Sequence, residues 1–327
     1  MKIFVTRKIH EAGLAMLKKA GYKITVYPKD QMIDQKALLA GVKGKDALLS
    51  LLTDKIDEAV FKAAGPQLKV VANYAVGFDN VDLQAAKKHG VIITNTPSDK
   101  VNESVAEHTF ALMLALAHRI PEADHFAKRG QYRGWSPMLL NGTDLNGKTL
   151  GLIGAGRIGS MVARHAVQGF GMKLLYADMR PNQDLEKNFG GRKVSQETLL
   201  KKADFISLHV PLMPSTIHLM STKQFNLMKK TAFLINTARG PVVDEKALIK
   251  ALRSKKIAGA ALDVFECEPA IDCDLRDNME LKSFENVILT PHIASATEAA
   301  RRAMSEVAAQ NIIAVLKGKK PLTPAQV

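Results

Sequence analysis

Short apolar runs alternate with helix-compatible amphipathic stretches along most of the chain. In residues 1–96 the strand-like runs are Lys2–Thr6, Tyr22–Tyr27, Ala47–Leu52, Leu68–Asn73 and Val91–Asn95. Helical patterns lie between them, among them Glu11–Ala20, Ile56–Ala64 and Asp82–His89. Strands that alternate with helices predict a parallel sheet. After the breaker Thr96-Pro97-Ser98, a long helical pattern runs from Val101 to about His118, apolar on more than one face through Phe110, Leu112, Met113, Leu114 and Leu116. Such a helix is buried against its own domain or covered by a partner subunit. Gln131 to Gly142 is loop-like and carries the single tryptophan, Trp135, which is either a core anchor or a residue near a ligand or interface.

The alternation resumes with strands at Thr149–Ile153, Lys173–Tyr176, Phe205–Leu208, Ala232–Asn236, Gly259–Leu262 and Val287–Leu289, then one last helix at about Thr297 to Lys317. The first of these strands runs into Gly154-Ala155-Gly156-Arg157-Ile158-Gly159, with helix-compatible sequence from Ser160 to Gly169 and a second strand ending in Asp178. Strand, glycine turn, helix, strand and acid in that order form a dinucleotide-binding fingerprint. Gly154 permits the tight turn, Gly156 lets a pyrophosphate approach the backbone, and Gly159 lets the helix pack on the strand. The helix start offers free N–H groups to phosphates. Asp178 stands where an acid bonds a ribose hydroxyl and repels a 2′-phosphate, although Arg180 could meet such a phosphate. NADH is therefore the expected cofactor, with residual use of NADPH.

Composition narrows the class. At 327 residues the chain is long enough for about two domains. No apolar run reaches membrane-spanning length. The opening Met1–Thr6 reads as a strand, because Lys8, His10 and Glu11 follow too soon for the apolar core of a signal peptide. Cys267 and Cys273 form neither a disulfide framework nor a metal-ligand spacing, so no metal and a reducing cytoplasm are expected. The net charge of +14 comes from dispersed lysine pairs, without an aromatic-interleaved basic patch. Solvated helix faces explain it better than nucleic acid or a membrane; attraction of an anionic substrate is compatible with it.

Three further strand ends carry reactive side chains. Arg239 lies in Asn236-Thr237-Ala238-Arg239-Gly240, where a guanidinium can grip a carboxylate with two parallel hydrogen bonds. Asp263, Glu266 and Glu268 follow the next strand, and His292 the last. Histidine is the usual proton carrier near neutral pH, and a carboxylate beside it orients the ring.

With these motifs the chain resembles the D-isomer-specific 2-hydroxyacid dehydrogenases, close to the glyoxylate/hydroxypyruvate reductase and short phosphoglycerate dehydrogenase branches. The resemblance covers nearly the whole chain. It rests on Asn73-Tyr74-Ala75-Val76-Gly77-Phe78-Asp79-Asn80-Val81-Asp82, the glycine loop, His209-Val210-Pro211-Leu212, Asn236 to Gly240, Asp263 to Pro269 and Pro291-His292. It implies an α/β protein with two doubly wound parallel-sheet domains. A Rossmann nucleotide domain, 99–291, is inserted into a flavodoxin-like substrate domain, 1–98 plus 292–327. The active site is expected in the cleft between them, and a homodimer interface at about 101–145.

The resemblance also assigns roles. Arg239 binds the substrate carboxylate and polarises the carbonyl. His292 is the acid in reduction, and Glu268, just before Pro269, is its partner, with Glu266 as competitor. Val76 and Gly77 offer N–H groups to the substrate, and Leu52 and Thr53 line its pocket. Gly154, Gly156, Arg157, Ile158, Gly159, Asp178, Val210, Thr237 and Asp263 serve NAD, while His209 is a packing residue. The implied activity is NAD-dependent interconversion of a small 2-oxo acid and its D-2-hydroxy acid, foremost glyoxylate or hydroxypyruvate reduction. Oxidation of D-3-phosphoglycerate and a dinucleotide-sensing corepressor are the alternatives; a formate dehydrogenase is disfavoured, since that branch has glutamine at the place of Glu268.

Overall fold

The computed structural model describes residues 1–268 and 280–325; Pro269 and Cys273 lie outside them. The chain forms two compact units. Among the described residues the first comprises 1–101 and 296–325, and the second 102–268 and 280–295. His292 thus belongs to the second unit, not to the first as a boundary at 292 would have it.

The first unit holds five parallel strands: β1 (Lys2–Val5), β2 (Lys23–Val26), β3 (Ala47–Leu51), β4 (Val70–Tyr74) and β5 (Ile92–Thr94). Their spatial order is β2-β1-β3-β4-β5, the flavodoxin-like winding. Both faces of the sheet are covered. Ile3, Val5, Ala47, Leu49, Val70 and Ala72 enter one core, while Phe4, Leu48 and Val71 enter the other. Two buried faces explain why these strands read as unbroken apolar runs. The helix Glu298–Leu316 covers the first face through Ala300, Met304, Ala308 and Ile312. It packs so closely on the helix Glu11–Lys19 that a Cβ at Gly13 would lie 2.1 Å from the Ser305 carbonyl oxygen.

The second unit holds β6 (Thr149–Ile153), β7 (Lys173–Ala177), β8 (Arg192–Lys193), β9 (Phe205–Leu208), β10 (Phe233–Asn236), β11 (Gly259–Leu262) and β12 (Val287–Leu289). All pairs are parallel, in the order β12-β11-β10-β9-β6-β7-β8. The order reverses between β6 and β9, so a ligand crevice opens at the carboxyl ends of those strands. The helix over 101–118 begins earlier, at Asp99, and ends at Ala117. Arg119, with φ 55°, breaks it, and a second helix starts at Ile120 with Pro121 in its first turn. Trp135 is 83% exposed and is no core anchor. Among the described residues no helix is long and apolar enough to cross a membrane.

Candidate active site

The glycine loop shows why each glycine is needed. Gly154 sits at φ 97°, and a Cβ there would fall 2.6 Å from the His209 carbonyl oxygen. A Cβ on Gly159 would fall 2.3 Å from the Gly154 carbonyl oxygen. Around Gly156 a Cβ would meet nothing within 4 Å, so the surface over it is open. The helix Arg157–Arg164 starts from Gly156 without a side-chain cap, leaving its first N–H groups for an anion. Gly156 and Arg157 are exposed and Ile158 half-buried. A cavity of about 470 Å³ beside them is lined by Ala155, Gly156, Asp178, Arg180, Pro181 and Asn182. Open glycine, uncapped helix start and adjoining cavity together fit a dinucleotide.

Asp178 ends the strand beside this loop. Its Oδ2 accepts from the Ala155 N–H at 2.7 Å and its Oδ1 from the Arg180 N–H at 3.2 Å. Asn182 pins the same rim: its Nδ2 donates to the Ala155 carbonyl at 2.8 Å and to Ser160 Oγ at 3.1 Å. Asn182 also caps the helix Gln183–Phe189, its Oδ1 accepting from the Asp184 and Leu185 N–H groups, and sequence reasoning missed both roles. If Asp178 excludes a 2′-phosphate, Asp178→Ala will narrow or reverse the cofactor preference. One hydrogen bond to a charged acceptor, about 1.5–3 kcal/mol, implies about 10- to 100-fold in kcat/KM. Wild type favouring NADPH tenfold would sink that reading of Asp178.

Past β9, His209 Nε2 lies 2.9 Å from Ser207 Oγ. Enclosure of the ring pushes its pKa down to about 4, so it is neutral at physiological pH and has no proton to give there. Val210 beside it is half-buried. Past β10, Thr237 is 8% exposed, and its hydroxyl meets Thr109 Oγ1 at 3.1 Å. Arg239 is half-buried in extended backbone, φ −147° and ψ 140°. Asn236 Nδ2 donates to the Arg239 carbonyl at 2.9 Å, and the Arg239 Nη1 donates to the Ala238 carbonyl at 2.7 Å. A Cβ on Gly240 would overlap the Phe265 carbonyl at 1.7 Å, so this turn tolerates only glycine there.

Two acids compete for His292 in the sequence, and the structure separates them. Glu268 Oε2 lies 2.7 Å from His292 Nδ1. Glu266 instead holds His218 Nε2 at 2.5 Å and accepts from the Glu245 N–H at 3.1 Å. Cys267 between them is disulfide-bonded, which a count of two cysteines did not suggest. With Nδ1 on the carboxylate, Nε2 is the ring nitrogen left for a substrate. His292 has φ 54°, a left-handed backbone that costs a non-glycine residue about 1–3 kcal/mol and that the surroundings must enforce.

Asp263 enforces it. The His292 N–H donates to the Asp263 carbonyl at 2.9 Å. The next two N–H groups, of Ile293 and Ala294, donate to Asp263 Oδ1 and Oδ2 at 2.9 and 2.8 Å. Burial would raise the Asp263 pKa, but donors from His108, Thr290, Ile293 and Ala294 outweigh it and hold the carboxyl below the usual range. Asp263 is fully buried, and its oxygens serve this turn.

The first unit fixes two loops of its own. Asn80 Nδ2 donates to the carbonyls of Leu51 and Asp54 at 3.0 and 2.9 Å, on either side of Leu52 and Thr53. Asn73 Nδ2 donates to the Gly77 carbonyl at 3.1 Å and to Asn80 Oδ1 at 3.0 Å. Val76 is held through its carbonyl by Asn95 Nδ2 at 2.7 Å. Asn73 and Asn80 are thus shared braces of both loops, a role that spacing along the chain does not reveal.

A larger cavity, about 970 Å³, is lined by Lys148, Asp204, Phe205, Phe233, Ala258 and Asn286, among others. These residues mark the amino ends of β6, β9, β10, β11 and β12. Ligands of open parallel sheets bind at the carboxyl ends, so this cavity is not the reaction site.

Comparison with known proteins agrees with the geometry. Residues 110–294 match the model of the D-isomer specific 2-hydroxyacid dehydrogenase NAD binding domain. A glyoxylate reductase of Thermofilum pendens is 49% identical over 98% of this chain and 93% of its own. The crystal structure of the TT0316 protein from Thermus thermophilus is 40% identical, with a TM-score of 0.91 and full coverage of both chains. A D-lactate dehydrogenase from Aquifex aeolicus, complexed with NAD and lactic acid, is 34% identical with a TM-score of 0.85, covering 97% of this chain and 96% of its own. The match over more than half of the chain, together with relatives of this identity and coverage, shows that the chain belongs to the D-isomer specific 2-hydroxyacid dehydrogenases, oxidoreductases that use a nicotinamide dinucleotide.

Proposed function

We propose that this enzyme reduces glyoxylate, and hydroxypyruvate as a second small 2-oxo acid, with NADH as the preferred donor. The observation that carries the chemistry is the His292–Glu268 pair at 2.7 Å in the second unit. The substrate choice is supported by the Thermofilum pendens relative, a glyoxylate reductase.

Gly154, Gly156, Arg157, Ile158, Gly159, Asp178, Val210 and Thr237 would hold the nicotinamide dinucleotide, which when bound would supply the hydride. Arg239 grips the substrate carboxylate and lowers the energy of the negative charge that grows on the carbonyl oxygen. Within the first unit, Val76, Gly77, Leu52 and Thr53, on the loops braced by Asn73, Asn80 and Asn95, are the residues assigned to the substrate. His292, protonated and steered through Nδ1 by Glu268, gives its Nε2 proton to the same oxygen. In the oxidation direction the neutral ring takes that proton back.

A steady-state assay with glyoxylate, hydroxypyruvate, pyruvate and 3-phosphohydroxypyruvate tests the substrate. Glyoxylate is expected to give the highest kcat/KM; the phosphorylated acid leading would transfer the assignment to phosphoglycerate oxidation. No turnover on any of them would point to a dinucleotide sensor.

Glu268→Gln tests the pair. The carboxylate at 2.7 Å from Nδ1 fixes which way the ring points. Without it the ring is free to turn, and kcat for glyoxylate should fall about tenfold while KM stays within about twofold. If Glu266→Gln lowers kcat in this way and Glu268→Gln does not, the roles are reversed.

We also propose that a second copy of the chain covers the exposed apolar groups of the 131–142 loop. Tyr132, Trp135 and Met138 are 55%, 83% and 76% exposed, a density of large apolar side chains that favours a partner. Light scattering is then expected to report a dimer; a monomer at micromolar concentration refutes it.

A further inference from the structure

We propose that His108 is a positioning residue for His292, acting through Thr290 and Asp263 on the backbone turn and touching neither substrate nor cofactor. The inference rests on His292 being the proton donor.

The turn at His292 is left-handed, and a non-glycine residue stays so only where its surroundings determine it. The determinant is the Asp263 carboxylate, which collects the N–H groups of Ile293 and Ala294. A fully buried carboxylate can hold that arrangement only while enough donors satisfy it. Two of its donors are side chains. Thr290 Oγ1 donates to Asp263 Oδ1 at 2.6 Å. A hydroxyl has one hydrogen, so at its other contact, His108 Nε2 at 3.2 Å, Thr290 must accept. That fixes the proton of His108 on Nε2. The same nitrogen lies 3.4 Å from Asp263 Oδ1, so its N–H is shared between hydroxyl and carboxylate. The relay runs in one direction, from His108 to Thr290 to Asp263.

The helix Asp99–Ala117 that carries His108 holds the turn at a second point. Ser104, one helical turn before His108 and on the same face, donates its hydroxyl to the Ala294 carbonyl at 2.9 Å. Asp263 thus holds the N–H of Ala294 and Ser104 its carbonyl, which leaves the loop little freedom to relax. His108 is 18% exposed, so its ring is mostly enclosed. Removing its N–H leaves Asp263 short of a donor and Thr290 free to turn, and the His292 ring then loses its fixed approach to the substrate oxygen.

The experiment compares H108L, H108Q, T290V and the double variant H108L/T290V with glyoxylate and NADH. Correctly placed acid–base catalysis contributes about 10²–10⁴-fold, and misplacing the ring forfeits part of it, so H108L should lower kcat about tenfold. Its KM for glyoxylate and its Kd for NADH should stay within about twofold, because the change falls on the proton-transfer step. The solvent deuterium isotope effect on kcat should rise. Glutamine presents an amide N–H near the position of Nε2, so H108Q should recover most of the loss. T290V breaks the same relay, and the double variant should be no slower than the slower single variant. Should H108L fail to fold, T290V and H108Q still decide the question.

A wild-type kcat in H108L or T290V, losses that multiply in the double variant, or NADH affinity falling in step with kcat would each overturn the proposal. H292A, measured alongside, separates the two readings. If H292A is nearly inactive and H108L is not impaired, only His108 is misassigned. If H292A is itself fully active, the proton-donor reading falls and this proposal with it.

Discussion

His292→Ala is expected to lose about 10²–10⁴-fold in kcat while binding NADH as tightly as wild type. The expectation follows from geometry within the second unit. His292 Nδ1 is occupied by Glu268 at 2.7 Å, so the ring is oriented and Nε2 is the nitrogen that can reach a reacting oxygen. Among the described residues, the other histidines near these strand ends are engaged elsewhere. His209 is held neutral by enclosure, with its pKa near 4. His218 is bound to Glu266, and His108 is enclosed against Thr290 and Asp263. The dinucleotide loop lies on β6 and β7 and does not include His292, so cofactor affinity should survive. A stopped-flow measurement of NADH binding beside steady-state turnover separates the two quantities. A variant retaining half of the wild-type kcat would remove His292 from the mechanism.

Arg239→Lys should cost about 10- to 100-fold in kcat/KM for a 2-oxo acid. The charge is kept, but the planar two-pronged grip is lost, and hydrogen bonds to a charged group contribute about 1.5–3 kcal/mol. The backbone around Arg239 gives lysine no means to compensate. Asn236 fixes its carbonyl, and Gly240 is pressed against the Phe265 carbonyl, so the turn cannot shift to bring a shorter side chain forward. The loss should appear in both KM and kcat, since the same guanidinium binds the carboxylate and stabilises the growing oxyanion. Unchanged constants would show that the carboxylate is held elsewhere.

Much of this architecture is legible in the residues because the physics is local. Strands buried on both faces read as continuous apolar runs, and β1, β3, β4, β6, β9 and β11 lie where those runs do. β8 is only Arg192–Lys193, exposed at the sheet edge, and carries no apolar pattern to detect. The break at Arg119 depends on a left-handed residue; Pro121 was its only written signal. The glycine fingerprint was readable because each glycine answers a steric demand a few residues away. His108 and Ser104 were visible only as members of a helix. Their importance comes from Thr290, Asp263 and Ala294, residues far along the chain that the fold brings to them. The pairing of Glu266 with His218 likewise joins loops that no spacing rule connects. The residues alone left both acids open as partners of His292, and position before Pro269 favoured Glu268.

Hydride transfer from NADH to the carbonyl carbon of a 2-oxo acid, giving a D-2-hydroxy acid, can be followed by incubating the wild-type enzyme with hydroxypyruvate and NADH deuterated at C4 of the nicotinamide, using each of the two C4 epimers in turn. Product is then resolved by chiral chromatography and its deuterium located by NMR. D-Glycerate with deuterium at C2 is expected from one epimer of the cofactor and without it from the other. An L product, or D-glycerate without deuterium from either epimer, would rule out this hydride transfer.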